Sequence, residues 1–240
     1  MRLATALALG VGVLSAVSGL AADVFVPDNA PWFILKAGES SGLAVDVIAL
    51  LAARSGLRLE ARGIPLARIG VRLAQSQQGG FAVFARPETL PVHVVELGDT
   101  LDIPLLAIAS RGEPDPTLDR LRQLGGVGLV HGAARLLPPD LVRGIPVREM
   151  PDIMSGLKMI ETGRVDAMLL TQVEADLISP EQKQRLRLGT AVQVGVLHIM
   201  LASNESIAGQ AEARQLEGAW NACLRDGSIA RLLAAGGGAD

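Results

Sequence analysis

Strand-like segments alternate with helix-like segments over most of this sequence, and this alternation constrains the fold more than any other feature. The strand-like segments are short and are either apolar or alternating, and they lie at 24–26, 57–61, 81–85, 103–109, 127–130, 165–170 and 192–202. The helix-like segments place apolar residues three or four positions apart, at 43–51, 66–75, 118–124, 153–160, 216–224 and 229–233. Helices that connect strands usually cover a parallel sheet on both faces, so the pattern predicts an α/β fold with parallel strands.

A short stretch rich in charge, Gly and Pro divides the alternation into two parts. It reads Arg111-Gly-Glu-Pro-Asp-Pro116, which is typical of a linker. The alternation of strand and helix restarts after it, and the long apolar segment 192–202 follows. The sequence therefore predicts two lobes that are joined by a linker and by one long strand.

The first 22 residues have the pattern of a secretory signal peptide. Arg2 precedes an apolar run from Leu3 to Val17, and small residues follow, with Gly19 and Ala21 suited to signal peptidase. The apolar run is shorter than the roughly 20 residues that span a bilayer. We predict cleavage near Ala21 or Ala22 and export to a bacterial periplasm, with an uncleaved anchor as the alternative.

Charge and composition argue against several classes of function. The formal net charge is −3 and only 2% of the residues are aromatic, so neither a basic surface nor a stacking platform for nucleic acid is expected. His93, His131 and His198 lack the spacing of metal ligands and are predicted to be lone structural side chains. Cys223 falls on the apolar face of a predicted helix and should be a buried thiol. Neither a metal nor a cofactor is predicted.

One motif matches that of a catalytic nucleophile. Gly38-Glu-Ser-Ser-Gly42 has the letters of the G-x-S-x-G elbow, with Ser40 as the nucleophile. The elbow needs a buried strand directly before it, whereas a polar turn precedes Ser40, and His198 lies inside an apolar strand rather than on a loop. A hairpin turn that leads into a helix explains the same letters. The chain is therefore not predicted to be an enzyme.

Five pieces of the sequence together carry a resemblance to a known family. They are Asn29-Ala-Pro-Trp-Phe33 with Gly42-Leu-Ala-Val-Asp46, Arg86-Pro-Glu-Thr89, Val127-Gly-Leu-Val-His-Gly132, Glu161-Thr-Gly-Arg-Val-Asp166-Ala, and Arg225-Asp-Gly-Ser-Ile229. In this order they resemble the family 3 extracellular solute-binding proteins, the polar amino-acid receptors of bacterial ABC importers. The resemblance implies the type II periplasmic binding protein fold. Lobe 1 would comprise 23–109 plus 200–240 and lobe 2 would comprise 110–199, with hinges near 107–111 and 194–201.

The positions that hold the amino acid in that family carry other residues here. The stacking aromatic is replaced by Asn29, the arginine that grips the carboxylate by Thr89, the helix-start hydroxyl by Ala133, and the acid that pairs with the amino group by Thr171. Losing an arginine and an acid together lowers affinity by more than about a thousandfold. The resemblance thus implies a small polar, hydrogen-bonding ligand other than a standard α-amino acid.

The predicted ligand-binding residues are Asn29, Arg86, Thr89, Arg135 and Thr171. Arg86 lies three positions from the lost arginine, and it is either a replacement cation in the cleft or a solvated loop residue.

The leading interpretation is a monomeric periplasmic protein that closes on a small polar solute and presents it to an inner-membrane ABC permease. One alternative is a degenerate member of the family that acts as a sensor or interaction protein. The other is a dehydratase-like enzyme on the same fold, with Glu39 and Glu88 as the nearest candidate acids.

Overall fold

The computed structural model describes residues 21–76, 80–113 and 115–236. The predicted signal peptide lies almost wholly outside these ranges, so its cleavage stays a prediction. Within the described ranges, no helix combines the length and the apolar character needed to cross a bilayer.

The strands of the described residues form one eight-stranded sheet and a separate two-stranded hairpin. They are β1 (Ala22–Pro27), β2 (Ile34–Lys36), β3 (Glu39–Ser41), β4 (Leu59–Ile64), β5 (Phe81–Ala85), β6 (Val94–Ala109), β7 (Val127–Val130), β8 (Val147–Met150), β9 (Ala167–Thr171) and β10 (Val192–Asn204). β2 and β3 make the hairpin.

The large sheet is mixed, whereas the sequence pattern predicted parallel strands. Its order is β4, β1, β5, β10, β6, β9, β7, β8. The first three of these strands are parallel to one another, and so are the last three. Between them, β10 and β6 are antiparallel to each other and to their outer neighbours. The reason is topological, because β6 carries the chain from one parallel group to the other and β10 brings it back.

Helices connect most of the strands. They are α1 (Leu43–Ser55), α2 (Ile69–Gln75), α3 (Leu118–Leu121), α4 (Pro139–Val142), α5 (Ile153–Glu161), α6 (Gln172–Asp176), α7 (Pro180–Arg185), α8 (Glu205–Ala208), α9 (Ala211–Arg225) and α10 (Ser228–Ala234), with 3₁₀ helices at Leu66–Arg68 and Ala133–Leu136.

Each parallel group is covered on both faces by apolar side chains. We call β1, β4 and β5 with α1, α2, α9 and α10 the first half, and β7, β8 and β9 with α3 to α7 the second half. In the first half, Leu51 and Trp220 are buried on one face and Leu73 on the other. In the second half, Leu157 and Leu121 are buried on opposite faces. The lobe boundaries given above stay a prediction.

Several predicted elements are confirmed to within a residue or two. β5 and β7 coincide with the predicted strands 81–85 and 127–130. α1 ends at Gly56, whose φ of 73° is the left-handed conformation that glycine adopts readily. Cys223 is fully buried on the inner face of α9, and burial raises the pKa of its thiol.

The pairing of β6 with β10 has two breaks. One lies between Gln193 and Gly195, and the other lies between Ile199 and Leu201, opposite β6 residues 98–100. Between the breaks, β6 residues 101–105 pair regularly with β10 residues 195–199, and we call this stretch the central ribbon. The central ribbon joins the two halves.

Candidate functional site

A cavity of about 100 Å³ lies between the two halves, over the central ribbon. Alternate residues of a strand point to the same face, so the ribbon presents a row of apolar side chains to the cavity. The row consists of Leu101, Ile103, Leu105, Leu197 and Ile199. The apolar wall continues in both halves, with Ala44, Val47 and Val83 from the first and Leu129, Leu137 and Leu169 from the second. The lining is therefore predominantly aliphatic.

A few polar groups also line this cavity. They belong to Asn29 and Trp32 of the first half and to Thr171 and Glu174 of the second. Of the lining residues that the structure describes, Glu174 is the only one with an ionisable side chain. Its carboxyl group is therefore the one side-chain charge that the described lining can offer to a ligand.

The start of α6 places Glu174 beside the cavity. Thr171 ends β9 and is the N-cap of α6, where its hydroxyl accepts a hydrogen bond from the Glu174 backbone N–H at 3.3 Å. The Glu174 side chain turns back and its Oε2 accepts from the Thr171 N–H at 2.7 Å and from the Thr171 hydroxyl at 2.9 Å. This reciprocal arrangement is a capping box, which satisfies donors that a helix start would otherwise leave free. Glu174 is buried, with only 7% of the residue exposed.

Burial raises the pKa of the Glu174 carboxyl above its ordinary value. The hydrogen bonds from Thr171 and Trp32 act in the opposite direction, because they stabilise the carboxylate, but desolvation is the larger effect. The ionised form of Glu174 is therefore less stable than it would be in water.

Trp32 reaches the same point from the first half. The segment before α1 is held close to the helix start, where the N–H groups of Leu43 and Ala44 donate to the carbonyls of Pro31 and Trp32 at 3.0 and 2.9 Å. This approach needs Gly42, because a Cβ there would lie 2.7 Å from the Pro31 carbonyl oxygen and its φ is 115°.

The two halves are in contact beside the cavity. Trp32 Nε1 of the first half donates a long hydrogen bond of 3.3 Å to Glu174 Oε1 of the second. Val173, next to Glu174, packs into the apolar cluster of the first half. A Cβ at Gly132 in the second half would lie only 3.0 Å from the Cβ of Ala67 in the first.

The structure brings some of the predicted ligand-binding residues together and separates others. Asn29 and Thr171 line the cavity, whereas Arg86, Thr89 and Arg135 are exposed and do not line it. The guanidinium of Arg86 is paired with Glu96, with Nε 2.9 Å from Oε2. The roles of these five residues in ligand binding stay predictions.

Ala133 also lines the cavity. Three of the four positions that the resemblance assigns to the ligand, Asn29, Ala133 and Thr171, therefore lie together, and Thr89 does not join them.

Glu174 and Trp32 were not among the predicted site residues. The resemblance placed the family's acid at Thr171, where the strand ends, and this chain carries its acid three residues further along. The sequence signal that could have found it is Thr171-Gln-Val-Glu174, the T-x-x-E pattern of a capping box. Trp32 belonged to the first matching motif but had no assigned role.

The structure gives no support to a catalytic role for Ser40. It lies on the exposed hairpin β2–β3, and the strand before it is exposed as well, so the predicted hairpin is confirmed and the elbow is not formed. Glu39 and Glu88, the candidate acids of the dehydratase alternative, are exposed and do not line the cavity.

The sequence predicts that the three histidines are lone structural side chains. The structure instead pairs each of them with a carboxylate. Each has its Nδ1 within 2.6 or 2.7 Å of a carboxylate oxygen, in the exposed pairs His93–Glu205, His131–Glu149 and His198–Asp102. Within the described residues, no group of three or more metal-ligating side chains is arranged to hold an ion.

Comparison with known proteins identifies the fold. No protein-family model matches this sequence, and no curated protein matches it significantly. Many solved structures share its architecture. The GluR0 ligand-binding core in complex with L-glutamate has a TM-score of 0.74 at 13% identity, covering 92% of this chain and 100% of that chain.

Two further structures extend the comparison. An ancestral arginine-binding protein bound to arginine has a TM-score of 0.68 at 16% identity, covering 88% of this chain and 96% of its own. A histidine kinase sensor domain with similarity to periplasmic binding proteins has a TM-score of 0.70 at 17% identity, covering 89% and 94%. This chain has the type II periplasmic binding protein fold, as the resemblance implied.

Proposed function

We propose that this chain is a solute-binding protein that acts outside the cytoplasm and holds one small, largely apolar ligand between its two halves. The observation that carries the proposal is the aliphatic cavity over the central ribbon, at the point where the two halves meet. Cavities between the parts of a protein are the usual location of ligand sites, and their polar groups fix the orientation of the ligand.

The size of the cavity limits the ligand. A dry cavity of roughly 150 Å³ lined by Leu, Ile and Phe is known to bind benzene. The cavity here measures about 100 Å³, so the ligand can be no larger than a single small ring or a short branched chain.

The lining also selects against amino acids. Burying a ligand carboxylate without a cation or several hydrogen-bond donors costs several kcal/mol of desolvation free energy, and no interaction with the protein compensates for this cost. Among the described lining residues there is no Arg, Lys or His, and Glu174 would repel a second carboxylate. We therefore propose an apolar ligand in place of the small polar solute that the resemblance suggested.

Two cellular roles follow from binding of this kind. The first is delivery of the ligand to an inner-membrane ABC permease from the periplasm, which the predicted signal peptide and the fold support. The second is ligand sensing, which the similarity to a histidine kinase sensor domain supports. An uptake assay in cells that lack this protein distinguishes the two roles. Uptake of the ligand should fail if the protein delivers it to a permease and should continue if the protein is a sensor.

Thermal unfolding in the presence of small molecules tests the binding itself. The panel pairs apolar compounds such as isobutanol, phenol and toluene with the standard amino acids. A ligand at ten times its Kd stabilises the folded state by about 1.4 kcal/mol, which raises Tm by roughly 3–6 °C in a chain of this size. We expect such shifts with apolar compounds and none with amino acids.

A variant that fills the cavity provides the control. Ala133→Phe places a ring in the lining and should abolish the shift, whereas Ala49→Phe, on the exposed face of α1, should preserve it. Micromolar binding of amino acids, with no binding of apolar compounds, would overturn the proposal.

A further inference from the structure

We infer that the ligand is a small amine with an apolar hydrocarbon body and no carboxylate, and that its ammonium group binds Oε1 of Glu174. This inference rests on the proposed function, and it names the class of ligand that the same cavity takes.

The two oxygens of Glu174 are not equally occupied. Oε2 accepts two hydrogen bonds from Thr171, one from the backbone N–H at 2.7 Å and one from the hydroxyl at 2.9 Å. Oε1 accepts only the 3.3 Å hydrogen bond from Trp32, which is longer than is usual for a bond of this type. A carboxylate oxygen can accept more than one hydrogen bond, so Oε1 retains capacity for a donor from the ligand.

The charge of Glu174 has no counterpart in its surroundings. Glu174 is buried, with only 7% of the residue exposed, and the cavity lining from both halves and the ribbon contributes no cation among the described residues. A buried carboxylate without a cation to balance its charge is destabilised, and the raised pKa of Glu174 is consistent with this. A cationic group on the ligand would supply the missing positive charge beside Glu174, the one ionisable residue of the described lining.

The remaining lining completes the description of the ligand. An ammonium group has three donors, and Asn29, which also lines the cavity, carries an amide oxygen as a further acceptor. The aliphatic ribbon suits a hydrocarbon body. A carboxylate on the ligand would meet Glu174 and no cation, so the class is that of simple alkyl or aryl amines.

The test compares three ligands of nearly equal shape by isothermal titration calorimetry: isobutylamine, isobutanol and isobutyrate. Isobutylamine and isobutanol differ only in the head group, so the comparison isolates the charge. A hydrogen bond between two ionised groups is stronger than one that involves a neutral donor, so we expect the amine to bind at least about tenfold more tightly than the alcohol. We expect no binding of isobutyrate.

Two variants locate the effect. Glu174→Gln should reduce the affinity for isobutylamine to that for isobutanol or below it, because the ammonium group then has no counter-charge. The affinity for isobutanol should stay unchanged. Gln also serves in a capping box, so α6 should still form. Glu181→Gln removes an exposed carboxylate from the first turn of α7 and should change neither affinity.

The outcomes distinguish this inference from the proposed function. Equal affinities for the amine and the alcohol in the unmodified protein would overturn the inference and leave the proposed apolar site intact. If none of the three compounds binds, the inference fails, and the proposed function fails with it only if phenol and toluene do not bind either. If Glu174→Gln does not fold, the comparison of ligands in the unmodified protein still decides.

Discussion

Two short helices of the second half begin with the same motif in different surroundings. Thr171 and Glu174 form a capping box at α6, and Ser179 and Gln182 form one at α7. In both, the side chain at the third helical position accepts from the N-cap backbone N–H, at 2.7 Å in α6 and 2.9 Å in α7. Glu174 is buried against the cavity, whereas Gln182 is half-buried near the surface.

The comparison shows that capping α6 does not require a charge. A neutral amide makes the corresponding bonds at α7, and both Glu and Gln fit this position. At α6 the carboxyl group is desolvated and its pKa is raised, so the ionised form opposes folding. The presence of an acid at 174 is therefore better explained by a partner that enters the cavity than by the start of the helix.

The largest expected effect comes from removing the two N-cap hydroxyls in turn. Thr171→Val should lower the free energy of unfolding by about 2–3 kcal/mol, because a buried carboxyl loses a donor. Ser179→Ala should lower it by only about 1 kcal/mol, as a cap near the surface does. Urea unfolding of both variants measures the difference. Equal losses of unfolding free energy in the two variants would contradict the prediction, because they would mean that burial of Glu174 does not make the α6 cap more important than the α7 cap.

Replacement of the buried acid should change how stability depends on pH. In the folded state the pKa of Glu174 is raised, so the folded protein binds more protons than the unfolded chain above the ordinary value of 4.5. Its contribution is fully present below pH 4.5 and is lost as the pH rises towards the folded pKa. Glu174→Gln should remove this decline, which urea midpoints between pH 4 and pH 8 would detect. An unchanged pH profile would contradict the role of burial.

An exposed acid of the first half, Asp226, should make stability depend on pH in the opposite direction. Hydrogen bonds from Ser228, together with the Arg54 guanidinium, lower the pKa of Asp226 from 3.8 to about 2. The stabilisation is present above pH 3.8 and is lost as the pH falls through about 2. Asp226→Asn should therefore be less stable than the unmodified protein at pH 5, and the difference should shrink at pH 2. Thermal unfolding of both proteins without denaturant, at pH 5 and at pH 2, tests this. A stability difference between them that is larger at pH 2 than at pH 5 would refute it.

The smallest effect should come from placing the acid of one cap in the other. Gln182→Glu adds a carboxylate to the first turn of α7, close to solvent, where the helix dipole favours negative charge. We expect a gain of about 0.3–1 kcal/mol in the free energy of unfolding. A loss of stability at neutral pH would show that the α7 cap tolerates charge as poorly as α6 does.

The sequence was sufficient to predict elements whose signal is local. β5 is an unbroken apolar run, and α1 is ended by a glycine that the left-handed conformation requires. The first part of β6 was missed, because Glu96, Asp99 and Asp102 interrupt its apolar pattern. This part is a strand because it pairs with β10, a partner about a hundred residues away in the chain.

Residues of the candidate site could be predicted from the sequence only where they belong to a recognisable motif. Asn29 and Thr171 were found because they stand at motif positions that converge on the cavity. Arg86 was ambiguous because its partner, Glu96, lies on another strand. Glu174 was missed because only the backward turn of its side chain, together with the packing of Val173 on the first half, brings it to the cavity.

The break in pairing at β6 residues 98–100 has a mechanical consequence. Regular pairing couples β6 to β10 along the central ribbon, whereas the stretches at its two breaks lack these ladder bonds and resist bending less. At this end α9 grips the strand, since Trp220 Nε1 donates to the Asp99 carbonyl at 2.6 Å and the Asn221 side chain accepts from the Asp99 N–H at 2.8 Å. Two hydrogen bonds therefore attach α9 to β6 at the break itself, so any change in the β6 backbone at this point would alter the contacts of α9.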